Sequence, residues 1–175
     1  MKLKLLFLLS LILVISCNNK SNSKKINNYL YENEIPNDFN FIINNGGIDS
    51  YDSKSMNLYR EFTDSIYKIK IPIDLVEKQL IYKKYVDLDF QSFPTKFDYD
   101  DKSDVILEMP SFITSVTILE KNKRKKVMFN LSDLQNELID RDKALKYQEL
   151  YNFIWNILKK HKEYKTIPKS DMHFM

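Results

Sequence analysis

The sequence predicts an α+β domain: an antiparallel sheet of about five to six strands in hairpins, with two main helices packed mostly on one face. Three observations predict it. Short runs of alternating apolar and polar residues are typical of half-buried strands, and here they come in pairs separated by turn residues. Two longer segments space their apolar residues three or four apart, as amphipathic helices do. Aromatic residues make up 13% of the chain, so it can fill a core between these layers.

Two hairpins are predicted in the first half of the chain. Asn45-Gly46-Gly47 lies between the apolar runs 39–43 and 48–51. Asn-Gly is a strong hairpin signal because both residues adopt positive φ readily. The second hairpin joins 56–62 to 66–71 through a short polar turn.

Two helices are predicted further along. The first spans 75 to about 88, with Asp74 as its N-cap and Glu77 completing a variant capping box. Its expected buried stripe, at helical spacing, is Val76, Leu80, Ile81, Tyr85 and Leu88. The second helix spans 141 to about 164. Its C-terminal turn carries residues suited to the negative end of a helix dipole: Lys159, Lys160 and His161.

A third hairpin is predicted from strands at 112–119 and 125–131, joined through residues 120–124. Before it, a loop around Pro94 carries three phenylalanines that we expect to cap the core: Phe90, Phe93 and Phe97. The predicted core draws on both helices and on three strands, and it includes Ile69, Ile71, Leu80, Ile81, Val116, Ile118, Val127, Phe129, Ile154 and Leu158.

No catalytic residue, metal ligand or cofactor site is predicted. The acidic segment 98–104 lacks the central glycine and the distal glutamate of a calcium loop. His161 and His173, the two histidines, have no cysteine or paired acid at ligand spacing, and no nucleophile motif adjoins them. Both glycines are used in one turn, which argues against a phosphate-binding loop. An envelope hydrolase is the remaining enzymatic alternative.

The charge balance argues against nucleic acid as a partner. Lys and Arg total 27 against 24 for Asp and Glu, whereas nucleic-acid binding requires a strong basic excess on one face. The one basic cluster, residues 121–126, has two interpretations. It could contact anionic headgroups or acidic glycans, or it could be a solvated hairpin tip that guards an edge strand, and we favour the second.

The first seventeen residues have the pattern of a secretion leader. Lys2 and Lys4 precede the apolar run 5–14, and Val14-Ile15-Ser16-Cys17 ends it with the chain's single cysteine. The run has about half of the roughly 20 residues that a membrane-spanning helix needs. We therefore predict a signal peptide over 1–16, a flexible polar tether over 17–37 and a single α+β domain over 38–175.

This leader resembles that of the lipoproteins processed by the lipoprotein-specific signal peptidase of Gram-negative bacteria. The resemblance implies lipidation of Cys17, and so a membrane anchor. In such families an Asp after the cysteine retains the protein in the inner membrane. Asn18 stands there, and 18–22 lacks the acidic cluster that marks surface export. The resemblance thus implies the outer membrane, facing the periplasm.

The rest of the chain resembles small uncharacterised lipoproteins of AT-rich Gram-negative species, through the helical segment 77–82, the Phe93-Pro94 loop and the lysine-rich hairpin. That likeness implies no activity. We expect a non-enzymatic binding or interaction module in the cell envelope, with an unknown envelope protein as its partner. The alternative is a periplasmic inhibitor or immunity protein against a toxin or hydrolase, which would expose an apolar or acidic patch.

Overall fold

The protein was analysed as a computed structural model, which describes residues 35–97, 112–130 and 138–172. Within these residues the chain forms one six-stranded antiparallel sheet and three helices, so the predicted α+β fold is confirmed. The strands are β1 (Asn40–Asn45), β2 (Asp49–Asp52), β3 (Asn57–Glu61), β4 (Ile66–Lys70), β5 (Ile113–Glu120) and β6 (Lys123–Asn130). The helices are α1 (Leu75–Asp87), α2 (Arg141–Leu158) and the short α3 (Lys162–Lys165).

The sheet has the order β4-β3-β2-β1-β5-β6, so β4 and β6 are its edge strands. The first two predicted hairpins are confirmed. Gly46 and Gly47 take positive φ values of 57° and 83° in the first turn, as only glycine does freely. In the second turn the amide of Phe62 donates to the carbonyl of Ser65 at 2.8 Å. The first hairpin therefore turns on its two glycines, and Asn45, which the prediction also placed in the turn, is the last residue of β1.

The third hairpin turns more tightly than predicted. β5 runs to Glu120 and β6 begins at Lys123, so the turn has two residues rather than the predicted span 120–124. Lys121 and Asn122 adopt positive φ values of 50° and 58°, a conformation that usually requires Asn-Gly. The carboxylate of Asp38 accepts a hydrogen bond from the Asn122 amide at 2.8 Å, which holds the strained turn in place.

Helix α1 begins where the sequence predicts. The Glu77 amide donates to Asp74 Oδ1 at 2.7 Å and the Asp74 amide donates to Glu77 Oε2 at 3.0 Å, which completes the capping box. Its predicted buried stripe is partly wrong, because Val76 is 51% exposed and Leu80 42% exposed. The helix instead turns Tyr82 inward, with its ring 4.9 Å from that of Phe39. Apolar residues lie on both sides of α1, so spacing alone does not identify the buried side.

Helix α2 ends at Leu158 rather than near Tyr164, and that prediction is wrong. The amides of Lys160 and His161 donate to carbonyls only three residues back, which tightens the last turn. His161 then takes an extended conformation and α3 follows. Lys159 is thus the C-cap of α2, and His161 lies in the bend between two helices.

The core lies between the helices and one face of the sheet. Of the predicted core residues, Leu80 is exposed and Ile69 is half-buried in edge strand β4, while the others are buried. Ring contacts, with centroids 6.5 Å apart or less, link a chain of aromatic side chains along this core: Phe39, Tyr82, Tyr85, Phe90, Phe93, Phe97, Tyr147, Tyr151, Trp155 and Tyr164. The loop phenylalanines around Pro94 cap the core, as predicted.

Candidate functional site

Three of the residues or segments weighed in the sequence lie outside the described residues: Cys17, the acidic segment 98–104 and His173. The basic cluster is described. It forms the tip of the β5–β6 hairpin at an edge of the sheet, with Lys123, Arg124 and Lys126 exposed. Lys125 turns inward instead and donates from Nζ to the Phe93 carbonyl at 2.5 Å. This placement agrees with the interpretation of a solvated tip on an edge strand.

His161 is paired with a carboxylate. Its Nε2 lies 3.1 Å from both carboxylate oxygens of Glu77, in a part-buried contact between the end of α2 and the first turn of α1. Among the described residues, no hydroxyl group hydrogen-bonds to His161. Glu77 also belongs to the helix cap. The pair therefore joins two helices.

A second polar cluster lies at the end of β5. Tyr85 Oη donates to Glu120 Oε1 at 2.5 Å, and Gln91 Nε2 donates to the same Tyr85 oxygen at 2.5 Å. Burial and the neighbouring Glu120 carboxylate both raise the pKa of Tyr85. The ring of Phe90 packs on Tyr85, with the centroids 5.8 Å apart. These side chains form a hydrogen-bonded cluster at the boundary of the core.

Arg60 is the residue that sequence reasoning missed. It faces Asp49 directly in the β2–β3 register, and Asp49 is only 3% exposed. Its Nη1 donates to the carbonyl of Pro168 at 2.7 Å, and its guanidinium lies 5.9 Å from the Tyr164 ring centroid. The partners are far apart in the chain, so no local signal indicates them. Arg60 thereby attaches the C-terminal segment to the sheet.

The described helices pack on one face of the sheet, and the opposite face is here called the open face. Register pairs place two cross-strand rows on it. The first row is Lys70, Asn57, Asp52, Ile42, Thr117 and Lys126. The second row is Lys68, Tyr59, Ser50, Asn44, Ser115 and Met128. Six strands span about 24 Å in the direction of the rows.

The two rows of the open face carry little charge at their centre. In the two rows, the four central strands carry mostly amide and hydroxyl side chains, together with Ile42 and one carboxylate, Asp52, and of these Thr117 is buried. The lysines lie on the edge strands, and Lys68 Nζ is 5.5 Å from the ring centroid of Tyr59. Two of these traits, the low charge at the centre and the tyrosine, are also found at the centres of protein interfaces. The open face is therefore the larger candidate binding surface.

Helix α1 carries the second candidate surface. Four apolar side chains point away from the core and lie within about 140° of the helix circumference. They are Leu75, Val76, Leu80 and Val86, and we call them the apolar stripe. Single exposed apolar residues are common on protein surfaces, and the four on this helix make it a candidate interaction surface.

The described part of the chain contains neither a metal site nor a membrane-spanning helix. No group of three or more His, Cys, Asp or Glu side chains there could hold a metal ion. Among the same residues, no helix has the length and hydrophobicity needed to cross a membrane. The sequence matches no known protein family, and comparison with curated proteins finds no significant match.

Proposed function

We propose that this protein is a lipid-anchored, non-enzymatic binding module of the cell envelope, held at the periplasmic side of the outer membrane by acylated Cys17. The leader pattern that ends in Val14-Ile15-Ser16-Cys17 supports the anchor. The open face of the sheet carries the binding role, because its charge-poor centre and its tyrosine are traits of the centres of protein interfaces. The expected partner is an envelope protein.

The side chains of the open face are suited to binding. Asn, Ser and Thr side chains have few rotatable bonds, so fixing them against a partner costs less entropy than fixing Lys or Glu. Tyr59 adds a rigid aromatic group that both packs and hydrogen-bonds. Lys68 and Lys70 on one edge and Lys126 on the other attract a partner whose surface is acidic at matching positions.

An inhibitor or immunity protein is the second candidate, and one observation favours it. Such a protein blocks its target with an exposed patch, and the apolar stripe of α1 is a patch of that kind. The two candidates use different surfaces, so variants of each surface distinguish them.

The anchor is tested with Cys17→Ser. We expect wild-type protein to carry a diacylglyceryl mass on an N-terminal cysteine, and the variant to remain a full-length, unacylated precursor. Intact-protein mass spectrometry of envelope fractions measures both. An unmodified cysteine in the mature wild-type protein contradicts the anchor.

The binding surface is tested by capture from solubilised envelopes with the full-length acylated protein as bait. Tyr59→Ala and Asn44→Asp, both on the open face, should reduce recovery of the captured protein at least tenfold. Leu145→Ala, an exposed residue on α2, is the control and should change nothing. Recovery that survives both open-face changes but is lost in Leu80→Asp would favour the inhibitor candidate.

A further inference from the structure

The apolar stripe of α1 is adjacent to an unneutralised basic segment. Lys159, Lys160, Lys162 and Lys165 are all exposed, and none forms an ion pair with another described residue. We call them the lysine cluster. The contact between His161 and Glu77 at 3.1 Å brings this segment to the first turn of α1, which also carries Leu75 and Val76. The fold therefore places four cations beside an apolar surface.

Two further lysines, both on α1, are already paired. Lys83 is bound to Asp87 at 2.9 Å along the helix, and Lys84 is bound to Glu149 of α2. Glu163 lies within the lysine cluster and also forms no ion pair with a described residue, so the unpaired charge of the segment is four lysines against one carboxylate, a net positive charge. Apolar side chains flanked by lysines are the combination that lets a surface helix lie at a bilayer interface, because the apolar groups enter the acyl boundary and the lysines contact anionic headgroups.

We infer that the apolar stripe and the lysine cluster together dock the domain onto an anionic bilayer surface. This inference rests on the proposed anchor at Cys17. The predicted tether reaches about 25 Å, so the anchor holds the domain close to the membrane at a high effective concentration. A contact too weak to bind an unanchored protein to the membrane is then sufficient to hold the anchored domain against it. Docking adds an orientation to the anchor, because one helix face lies on the lipid.

The test uses the full-length acylated protein in vesicles of phosphatidylethanolamine and phosphatidylglycerol. Cys17 is the single cysteine, so acylation leaves the thiol of Leu80→Cys as the one site for a bimane label. Leu145→Cys is the matched control, since Leu145 is 46% exposed on α2, outside the stripe. Lipids brominated on their acyl chains should quench the bimane fluorescence at position 80 and should not quench it at position 145.

Charge is tested in the same vesicles. Replacing Lys159, Lys160 and Lys162 by Glu should lower quenching at position 80, with each lost lysine weakening docking about fivefold. Phosphatidylcholine vesicles should give the same loss with the wild-type lysines. Equal quenching at positions 80 and 145, or none at either, overturns docking while the anchor stands.

Two further outcomes are also decisive. Incorporation of a second label shows that Cys17 is free, and this overturns the anchor and with it the docking. In the other outcome, the label at position 80 stays exposed to water in pure lipid vesicles and becomes shielded only when envelope proteins are added. This result assigns the stripe to a protein partner and overturns the bilayer assignment.

Discussion

Arg60 and Asp49 form a bidentate ion pair across strands β2 and β3, with Nε 2.6 Å from Oδ1 and Nη2 2.7 Å from Oδ2. The carboxylate is buried, and the same guanidinium also donates to the Pro168 carbonyl. The hydrogen bonds that Arg60 donates to Asp49 raise the pKa of the Arg60 guanidinium. One side chain therefore joins the sheet to the C-terminal segment.

Asp49→Asn should destabilise the domain by about 3–5 kcal/mol, because it leaves a largely buried guanidinium without its counter-charge. Urea denaturation of the wild type and the variant measures the difference. Lys83→Met, which breaks the exposed pair with Asp87, is the control and should cost less than about 0.5 kcal/mol. A change of similar size in both variants would contradict this role for Asp49.

Ile154→Ala should cost about 2–5 kcal/mol, since Ile154 is fully buried on the sheet side of α2 and its truncation leaves a cavity. Leu145→Ala on the exposed side of the same helix should cost less than about 1 kcal/mol, from the smaller apolar loss. Urea denaturation of the wild type and both variants measures these differences in the free energy of unfolding. If Ile154→Ala lowers the free energy of unfolding by less than about half a kcal/mol, Ile154 does not lie on the buried side of α2.

Asp38 makes the β5–β6 turn sensitive to acid. The amides of Asn122 and Lys121 donate to its carboxylate and hold its pKa below the ordinary value. The stabilisation is therefore complete above the unfolded carboxyl pKa, near 3.9, and is lost as the pH falls through the lower folded pKa.

Asp38→Asn, which keeps the shape and removes the charge, should be less stable than the wild type at neutral pH and equally stable once Asp38 is protonated. Urea midpoints of both proteins across the acid range measure this convergence. A difference that is constant with pH would show that the charge of Asp38 plays no part.

Four buried tyrosines should make the fold sensitive to alkali. Burial raises the pKa of Tyr51, Tyr85, Tyr147 and Tyr151. Because their folded pKa values exceed the unfolded one, near 10, the folded state is favoured below that pH and loses stability as the pH rises above it. Phenolate absorbance should therefore rise together with unfolding, and Tyr147→Phe should flatten the dependence. Complete ionisation of a still-folded domain would contradict this.

Much of this fold could be predicted from local signals. The Asn-Gly turn before β2 and the Asp74–Glu77 capping box lie within a few residues of the structure that they specify, so the sequence is sufficient to locate them. The β5–β6 hairpin was predicted, but its two-residue turn was not, because Asp38 stabilises that turn from a distant part of the chain. The outward position of Leu80 depends on which side of α1 meets Phe39, and only the packed fold decides that.

The candidate surfaces were harder to predict than the fold. The open face is a property of cross-strand register: Tyr59 and Asn44 become neighbours of Ser50 only when three strands align. The lysine cluster is visible in the sequence, but its position beside the apolar stripe depends on the bend at His161. Sequence reasoning extended α2 through that bend and so placed these lysines along a helix instead.

The two edges of the sheet differ in their pairing, and this affects how two copies of the chain could meet. The outer edge of β6 is occupied, since Met128 donates to the Thr95 carbonyl at 2.9 Å and Lys96 forms a parallel bridge with Met128. No other described strand pairs with the outer edge of β4. If anchored copies met edge to edge through β4, Lys68 and Lys70 of both copies would converge and repel. If the protein is anchored as proposed, this repulsion would keep neighbouring copies from joining their sheets into a continuous ribbon.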